Sequence, residues 1–414
     1  MGCDRLLAVA LQPFERLLFS FNGRLQLTQS NRSVMTAISR VQHRGIKKMS
    51  AILRTCIVLG LLIVIGTFVT VLGQDETLPA RTTFTFPPQM EGLGKGLEEA
   101  GFNIVYGPNS VPAPDGISDE AKAAWVNLPQ LPLPADDPEK LAALRELTVL
   151  VENAAFEKLK TLYSMEDRVI NGITTLWITP PNLKHADKVM IFIHGGGWIL
   201  NSRKTQLPLQ TAVADSLGTK VVSIEYPLAP EHPYPAALND IVAAYAGVIS
   251  EYGAENAGLF GTSAGGGFTL ATLLRLKKDG LSLPAASAPL SPGADMTRSG
   301  YTFKAVGLQD PILPVNGGYF EAYVGEADPK DPLVSPVFGD YSGMTPMFLL
   351  AGTAEIIGSD AIRVAASARS QGVDVTLLVS DGMWHVPIGN GSGVPELQLA
   401  YDEMIKFFRQ HMGI

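Results

Sequence analysis

The chain has 414 residues, of which 46% are hydrophobic and 17% charged, with a net charge of −8. A chain of this length and composition buries a large core as one large or two ordinary domains. Residues 1–73 hold nine Lys or Arg against two acids, Asp4 and Glu15, so a basic leader precedes an acidic body carrying about −15. The body has no basic patch, which argues against a nucleic-acid partner. Both cysteines, Cys3 and Cys56, lie in the leader. The body therefore has no disulfide, thiolate metal site or cysteine nucleophile.

Residues 56–73 read CIVLGLLIVIGTFVTVLG, an uncharged apolar run preceded by Lys47, Lys48 and Arg54. Basic residues, an apolar stretch and small residues near its end make a secretory signal, with Val71 and Gly73 at the −3 and −1 positions of a cleavage site. Met49 stands just before the run as the alternative start, which makes 1–48 upstream sequence. The competing reading is an uncleaved anchor that spans a bilayer, with the positive side inside and the body outside the cytoplasm. Both readings export the body, and only the second gives it a membrane partner.

Residues 74–165 are rich in proline, and stretches such as PNSVPAPDG and LPQLPLPADDP break up long elements. Two helices are expected there, near 117–126 with Ser118 or Asp119 as cap, and over 137–162 with Asp136 or Asp137 before Pro138. From 166 onward, short apolar runs alternate with helical patterns. TTLWIT, VMIFI, KVVSIEY, AGLFG, PMFLLAG and VTLLVS read as strands. Helices are expected near 206–217, 235–251, 263–278, 359–371 and 395–411. That alternation predicts an α/β fold with a mostly parallel sheet covered on both faces.

Residues 258–267 read GLFGTSAGGG. Gly261-Thr262-Ser263-Ala264-Gly265 is G-x-S-x-G, placed between an expected strand and an expected helix. In that setting a serine sits on a sharp, strained turn whose flanking residues must be tiny. The following helix aims backbone N–H groups at the same point. Upstream, IFIHGGGW runs a strand into His194 and three glycines, Gly195 to Gly197. Such a loop turns N–H groups towards an anion without intervening side chains. It pairs with the N–H of the residue after the serine, Ala264, as an oxyanion hole.

Serine needs a base to take its proton, and in this arrangement the chain order is Ser, acid, His. Only His385 and His411 follow Ser263. His385 lies in a loop after an expected strand, where such a base should hang. His411, near the end of an amphipathic helix, is expected to be solvated. The acid is Glu355, in the loop directly beyond the strand PMFLLAG, with Asp360 as the alternative; Asp360 also reads as a helix N-terminal charge. Asp374 and Asp381 lie beyond that loop.

Three stretches, IFIHGGGW, EYPLAPEHPYPAALNDIVAAY and GLFGTSAGGGFTLATLL, resemble the hormone-sensitive-lipase-like branch of the α/β-hydrolase carboxylesterases. A fourth, from AGTAEIIG to SDGMWHV, is similar to the family's acid–helix–strand–histidine segment. The resemblance covers roughly 165–411. It implies a serine carboxylesterase acting through an acyl-enzyme, with Ser263 as nucleophile, His385 as base and Gly196, Gly197 and Ala264 as the oxyanion hole. His194, Tyr226, Pro230, Glu231, His232 and Asp240 become supporting residues. No metal or organic cofactor is implied. The implied partner is a small ester of short to medium acyl chain; amide or lactone hydrolysis and a non-catalytic binding role are the alternatives, and an oligomer is compatible. The family's N-terminal helical cap falls on 74–165, ahead of a catalytic domain over 166–414. The sequence departs from the family at two places. Thr262 stands where aspartate is frequent, as in GTSAG-type members, and Glu355 replaces the family's usual aspartate.

Overall fold

The computed structural model describes residues 111–126, 128 and 133–414. The leader, its apolar run 56–73 and the start of the proline-rich region lie outside them. Among the described residues no helix is long and apolar enough to cross a membrane.

Two helices precede the sheet, α1 (Asp119–Trp125) and α2 (Pro138–Leu159). Of the expected caps, the structure uses Ser118, whose hydroxyl accepts the Ala121 N–H, and Asp137, whose carboxylate accepts the Lys140 N–H. Each side chain satisfies one of the N–H groups that the first turn leaves unpaired.

The sheet then runs β1 (Ser164–Ile170), β2 (Ile173–Thr179), β3 (Val189–Ile193), β4 (Lys220–Ile224), β5 (Ala257–Thr262), β6 (Ala286–Leu290), β7 (Met347–Gly352) and β8 (Val375–Ser380). Its eight strands lie in the order β1-β2-β4-β3-β5-β6-β7-β8. The β1–β2 and β2–β4 pairs are antiparallel and all others parallel. Between the strands come α3 (Leu207–Leu217), α4 (Ala236–Tyr252), α5 (Ala264–Asp279), the short α6 (Tyr301–Ala305) and α7 (Tyr319–Val324), and α8 (Gly358–Ser370); α9 (Pro395–Met412) closes the chain.

Two strands go beyond the sequence expectation. SMEDRVI is polar because β1 is a half-exposed edge. ASAPL forms β6 although it lacks β-branched residues and carries Pro289. Proline has no N–H to give, and the ladder to β7 registers only Ser287↔Met347 and Leu290↔Leu350. Burial on both faces makes this weak strand former a strand.

The pleat divides the core. Met190 and Phe192 of β3 pack with α3 and α9 on one face. Val189, Ile191 and Ile193 pack with α4, α5 and α8 on the other, as alternation along a strand requires. On α9, Tyr401, Met404, Ile405, Phe408 and Met412 recur at helical spacing and form its buried face. The carboxyl ends of the parallel strands all open at one edge of this layered body, where ligands of open α/β sheets bind.

Candidate active site

At the end of β5 the chain must reverse into α5 within one residue. That residue is Ser263, at φ 58° and ψ −122°. A non-glycine side chain in that region costs about 1–3 kcal/mol and persists only when its surroundings over-determine it. They do: Ser263 N–H donates to the Leu290 carbonyl, and the Ser263 carbonyl accepts from Gly267 and Gly293. The motif's outer glycines permit the close approach. A Cβ on Gly265 would lie 2.1 Å from the Ile193 carbonyl oxygen, and one on Gly261 would lie 2.4 Å from that of Gly265.

The HGGG loop packs directly against this elbow. A Cβ on Gly195 would meet the Thr262 carbonyl oxygen at 2.8 Å. Gly196 and Gly197 take φ of 128° and 59°, angles that suit glycine. The backbone N–H groups of Gly196, Gly197 and Ala264 donate to no acceptor among the described residues. Ala264 is also the first residue of α5, whose aligned peptide dipoles favour negative charge there.

His194 supports the loop from beneath. It is fully buried, and burial pushes its pKa down to about 4. Its Nδ1 lies 2.8 Å from the Gly195 carbonyl oxygen. A carbonyl only accepts, so Nδ1 carries the proton of the neutral ring. The ring stacks on Tyr226 at 4.0 Å, and the Tyr226 hydroxyl donates to the His194 carbonyl. Asn201 donates its side-chain amide to the Gly195 carbonyl at 3.2 Å. Glu231 pairs with Arg145 of α2 and so ties the preceding helix to the segment after β4. Thr262, at the position where aspartate is frequent, donates its hydroxyl to Gln206 Oε1 at 2.5 Å.

The acid and the histidine come together across 30 residues. Glu355 is fully buried in the turn after β7. Its Oε2 lies 2.5 Å from His385 Nδ1, and its Oε1 accepts the Gly352 N–H at 2.8 Å. Asp360 is not at His385. It lies in the first turn of α8 and accepts the Ala294 and Asp295 N–H groups, each at 2.9 Å. Burial raises its pKa well above the usual carboxylate value. Asp381 accepts from Thr353, and Asp374 faces His411 at 3.8 Å. His411 departs from the expectation of a solvated ring: its side chain is 15% exposed and packs on Phe407, one turn earlier on α9, at 4.5 Å.

His385 Nε2 is buried and makes no hydrogen bond, to Ser263 or to any other described residue. In free hydrolases such contacts are often long and tighten with substrate. The loop carrying His385 is moored to the elbow's neighbourhood. Val386 N–H donates to the Ser291 hydroxyl at 3.0 Å, one residue beyond the Leu290 carbonyl that holds Ser263. Sequence reasoning missed Asn201, Gln206, Ser291 and Asp310, whose partners lie up to 95 residues away. No local motif marks them.

Among the described residues no group of three or more His, Cys, Asp or Glu side chains is placed to hold a metal ion. A hollow of about 470 Å³ opens between α1, α6 and the acid turn, lined by Ile117, Trp125, Tyr301, Ala354 and Asp381. Ser263 and the glycine loop are not among its walls.

An eight-stranded, mostly parallel sheet with a strained serine, a glycine loop and an acid–histidine pair on successive strand ends defines an α/β hydrolase. Comparison with known proteins agrees: residues 190–388 match the model of an α/β-hydrolase-fold family. The chain is 31% identical over 248 residues to an acetyl-hydrolase of Streptomyces hygroscopicus, covering 59% of this chain and 82% of that one. It is 30% identical to an esterase of Acinetobacter venetianus, covering 54% of this chain and 75% of that one. Among solved structures, it is similar to an esterase from the bacterial hormone-sensitive lipase family, at 32% identity and a TM-score of 0.61, covering 66% of this chain and 92% of that chain. The chain belongs to the hormone-sensitive-lipase-like family of α/β hydrolases. It is a carboxylic ester hydrolase.

Proposed function

We propose that the chain is a serine carboxylesterase that hydrolyses short- to medium-chain esters through an acyl-enzyme. The observation that carries this reading is the paired Glu355 and His385, with Nε2 unpartnered, on a loop tied to Ser291, next to the Leu290 carbonyl that holds Ser263 in its strained turn. Ser263 Oγ attacks the acyl carbon while His385 Nε2 takes its proton. The N–H groups of Gly196, Gly197 and Ala264 receive the oxyanion, and such donors are worth about 3–4 kcal/mol each in the barrier. Glu355 holds the imidazole tautomer and steadies the imidazolium. His385 then protonates the leaving alcohol, and water attacks the acyl-enzyme with His385 again as base.

A limit on acyl length, within the short- to medium-chain range, is supported by the side chains packed beside the glycine loop. A Cβ on Gly197 would lie 3.0 Å from the Leu133 side chain and 3.5 Å from Tyr319. Trp198 stacks on Tyr319 and Tyr323 behind them.

The test is turnover of p-nitrophenyl esters from acetate to longer chains by residues 74–414, beside Ser263→Ala and Glu355→Ala, with a matched amide as control. Rapid acetate and butyrate turnover that is absent from Ser263→Ala supports the reading. A faster amide reaction redirects it to another acyl transfer. Export of the body is part of the same proposal. It rests on residues 49–73, and N-terminal sequencing of protein recovered from the producing cells tests it.

A further inference from the structure

The proposed reaction leaves several buried carboxylates unused, and one of them is fully buried close to the acid turn. Asp310 lies in the long β6–β7 connection, in the stretch LQDPILP, and is fully buried. Burying a carboxylate is costly unless it is well hydrogen-bonded. Here Oδ1 accepts the N–H groups of Ile312 and Leu313, each at 2.8 Å, which is a local turn. Oδ2 does something else. It accepts the N–H of Ile356 at 2.8 Å, 46 residues along the chain and next to Glu355.

The carbonyl of the same residue is also held. Ile356 O accepts the Thr302 hydroxyl at 2.8 Å, and that hydroxyl in turn accepts the Ser359 N–H at 2.9 Å. Segment 302–310 therefore grips both backbone polar groups of the residue beside Glu355. Burial pushes the Asp310 pKa up to about 6; the three N–H groups and the nearby His385 pull it down. At neutral pH it is the carboxylate that meets three donors.

We propose that Asp310 is a positioning residue for ester hydrolysis: by accepting the Ile356 N–H it locks the acid turn and so sets Glu355 against His385 Nδ1. The inference rests on the Ser263–His385–Glu355 reading and adds to it the part that aligns the acid. Glu355 is fixed at its carboxylate by the Gly352 N–H, but that donor belongs to its own turn. Only tethers from outside can set the whole turn relative to the β8 loop. Of these, Ala354 N–H reaches the Met383 carbonyl on the histidine's own loop, and Asp310 and Thr302 hold Ile356 from a different segment.

The test is Asp310→Asn. The amide keeps the volume and can still accept from Ile312 and Leu313, but presents N–H to the N–H of Ile356. The expected result is a fall in kcat of about tenfold to a hundredfold with KM within about twofold, as for lost transition-state alignment rather than lost binding. The low-field proton resonance of His385 Nδ1 should shift or vanish. In a Glu355→Ala background, adding Asp310→Asn should cost nothing further, since coupled residues are non-additive. If Asp310→Asn fails to fold, Asp310→Ser, which leaves room for a water on Ile356 N–H, carries the same comparison.

Wild-type kcat and an unmoved resonance in the folded variant overturn the proposal. So does a full additive loss in the Glu355→Ala background, which makes Asp310 a merely structural residue. The proposed function fails separately, if Ser263→Ala keeps wild-type turnover, whereas wild-type turnover in Glu355→Ala moves the acid role to Asp360.

Discussion

The two halves of the site are held by different physics. The elbow and glycine loop are built from backbone shape: Gly261, Gly265 and Gly195 fit only because they have no Cβ, and Ser263 is fixed by main-chain hydrogen bonds. The acid–histidine half also needs one close backbone approach, at Gly352, but relies further on side-chain hydrogen bonds between distant segments, Glu355 to His385, Ser291 to Val386 and Asp310 to Ile356. A shape-built half should fail abruptly when an atom is added. A half built from hydrogen bonds should weaken in steps as bonds are removed. That difference reflects what each half must do. In the proposed mechanism the first must hold fixed dipoles around a developing charge, where any reorganisation costs rate. In that proposed mechanism the second must hold a ring that gains and loses a proton in every cycle.

The largest effect should come from removing the nucleophile. Ser263→Ala should lower kcat by roughly 10⁴-fold or more while the fold survives, since alanine also fits the elbow; ester turnover and a thermal melt read both. On the other half, Glu355→Ala should cost about 10³- to 10⁴-fold in kcat. Asp360→Asn should lower Tm and leave kcat within about tenfold, because Asp360 binds Ala294 and Asp295 rather than His385. The reverse ranking would move the acid role to Asp360.

Gly265→Ala adds one methyl where the Ile193 carbonyl leaves 2.1 Å. It should destabilise by about 3 kcal/mol or more, at the upper end of overpacking costs, and denaturant unfolding measures it. Ser291→Ala removes the acceptor of a single N–H and should cost about 1–3 kcal/mol, with a graded fall in kcat. Equal losses in the two variants would erase the contrast between the halves.

The smallest effect is one of pH. Burial depresses the His194 pKa from 6.5 to about 4 in the folded protein. The unfolded chain therefore takes up this proton first. The stability from the neutral ring is present above about 6.5 and is lost as the pH falls towards 4. His194→Asn should flatten Tm against pH in that window. Asp310, pushed up to about 6, acts with the opposite sign over part of the same range. The quantity to read is therefore the difference between variant and wild type.

Much of this was legible in the sequence because it depends on short-range rules. Strand–helix alternation from β2 onward, G-x-S-x-G between a strand and a helix, HGGG after a strand and a histidine in the β8 loop each occupy a few consecutive residues whose sizes dictate a backbone path. What was not legible depends on long-range closure. β1 is too polar and β6 too poor in β-branched residues to stand out, and both are strands because the sheet pairs or buries them. His411 reads as solvated, and only the fold shows Asp374, just before β8, facing its ring.

The choice between Glu355 and Asp360 is the clearest division. Sequence alone determined that a serine, a histidine and a carboxylate close to one strand end would stand on the carboxyl side of a parallel sheet. Both carboxylates follow β7 within eight residues, and side-chain type cannot rank them. Tertiary structure decided which one faces His385. The turn after β7 presents residue 355 to the β8 loop, while the first turn of α8 carries residue 360 towards the Ala294 and Asp295 amides. A carboxylate buried among three backbone donors, such as Asp310, is likewise invisible until the fold delivers the last of them. Chain neighbours set local shape, but a hydrogen bond across 46 residues exists only once the sheet has brought its two ends together.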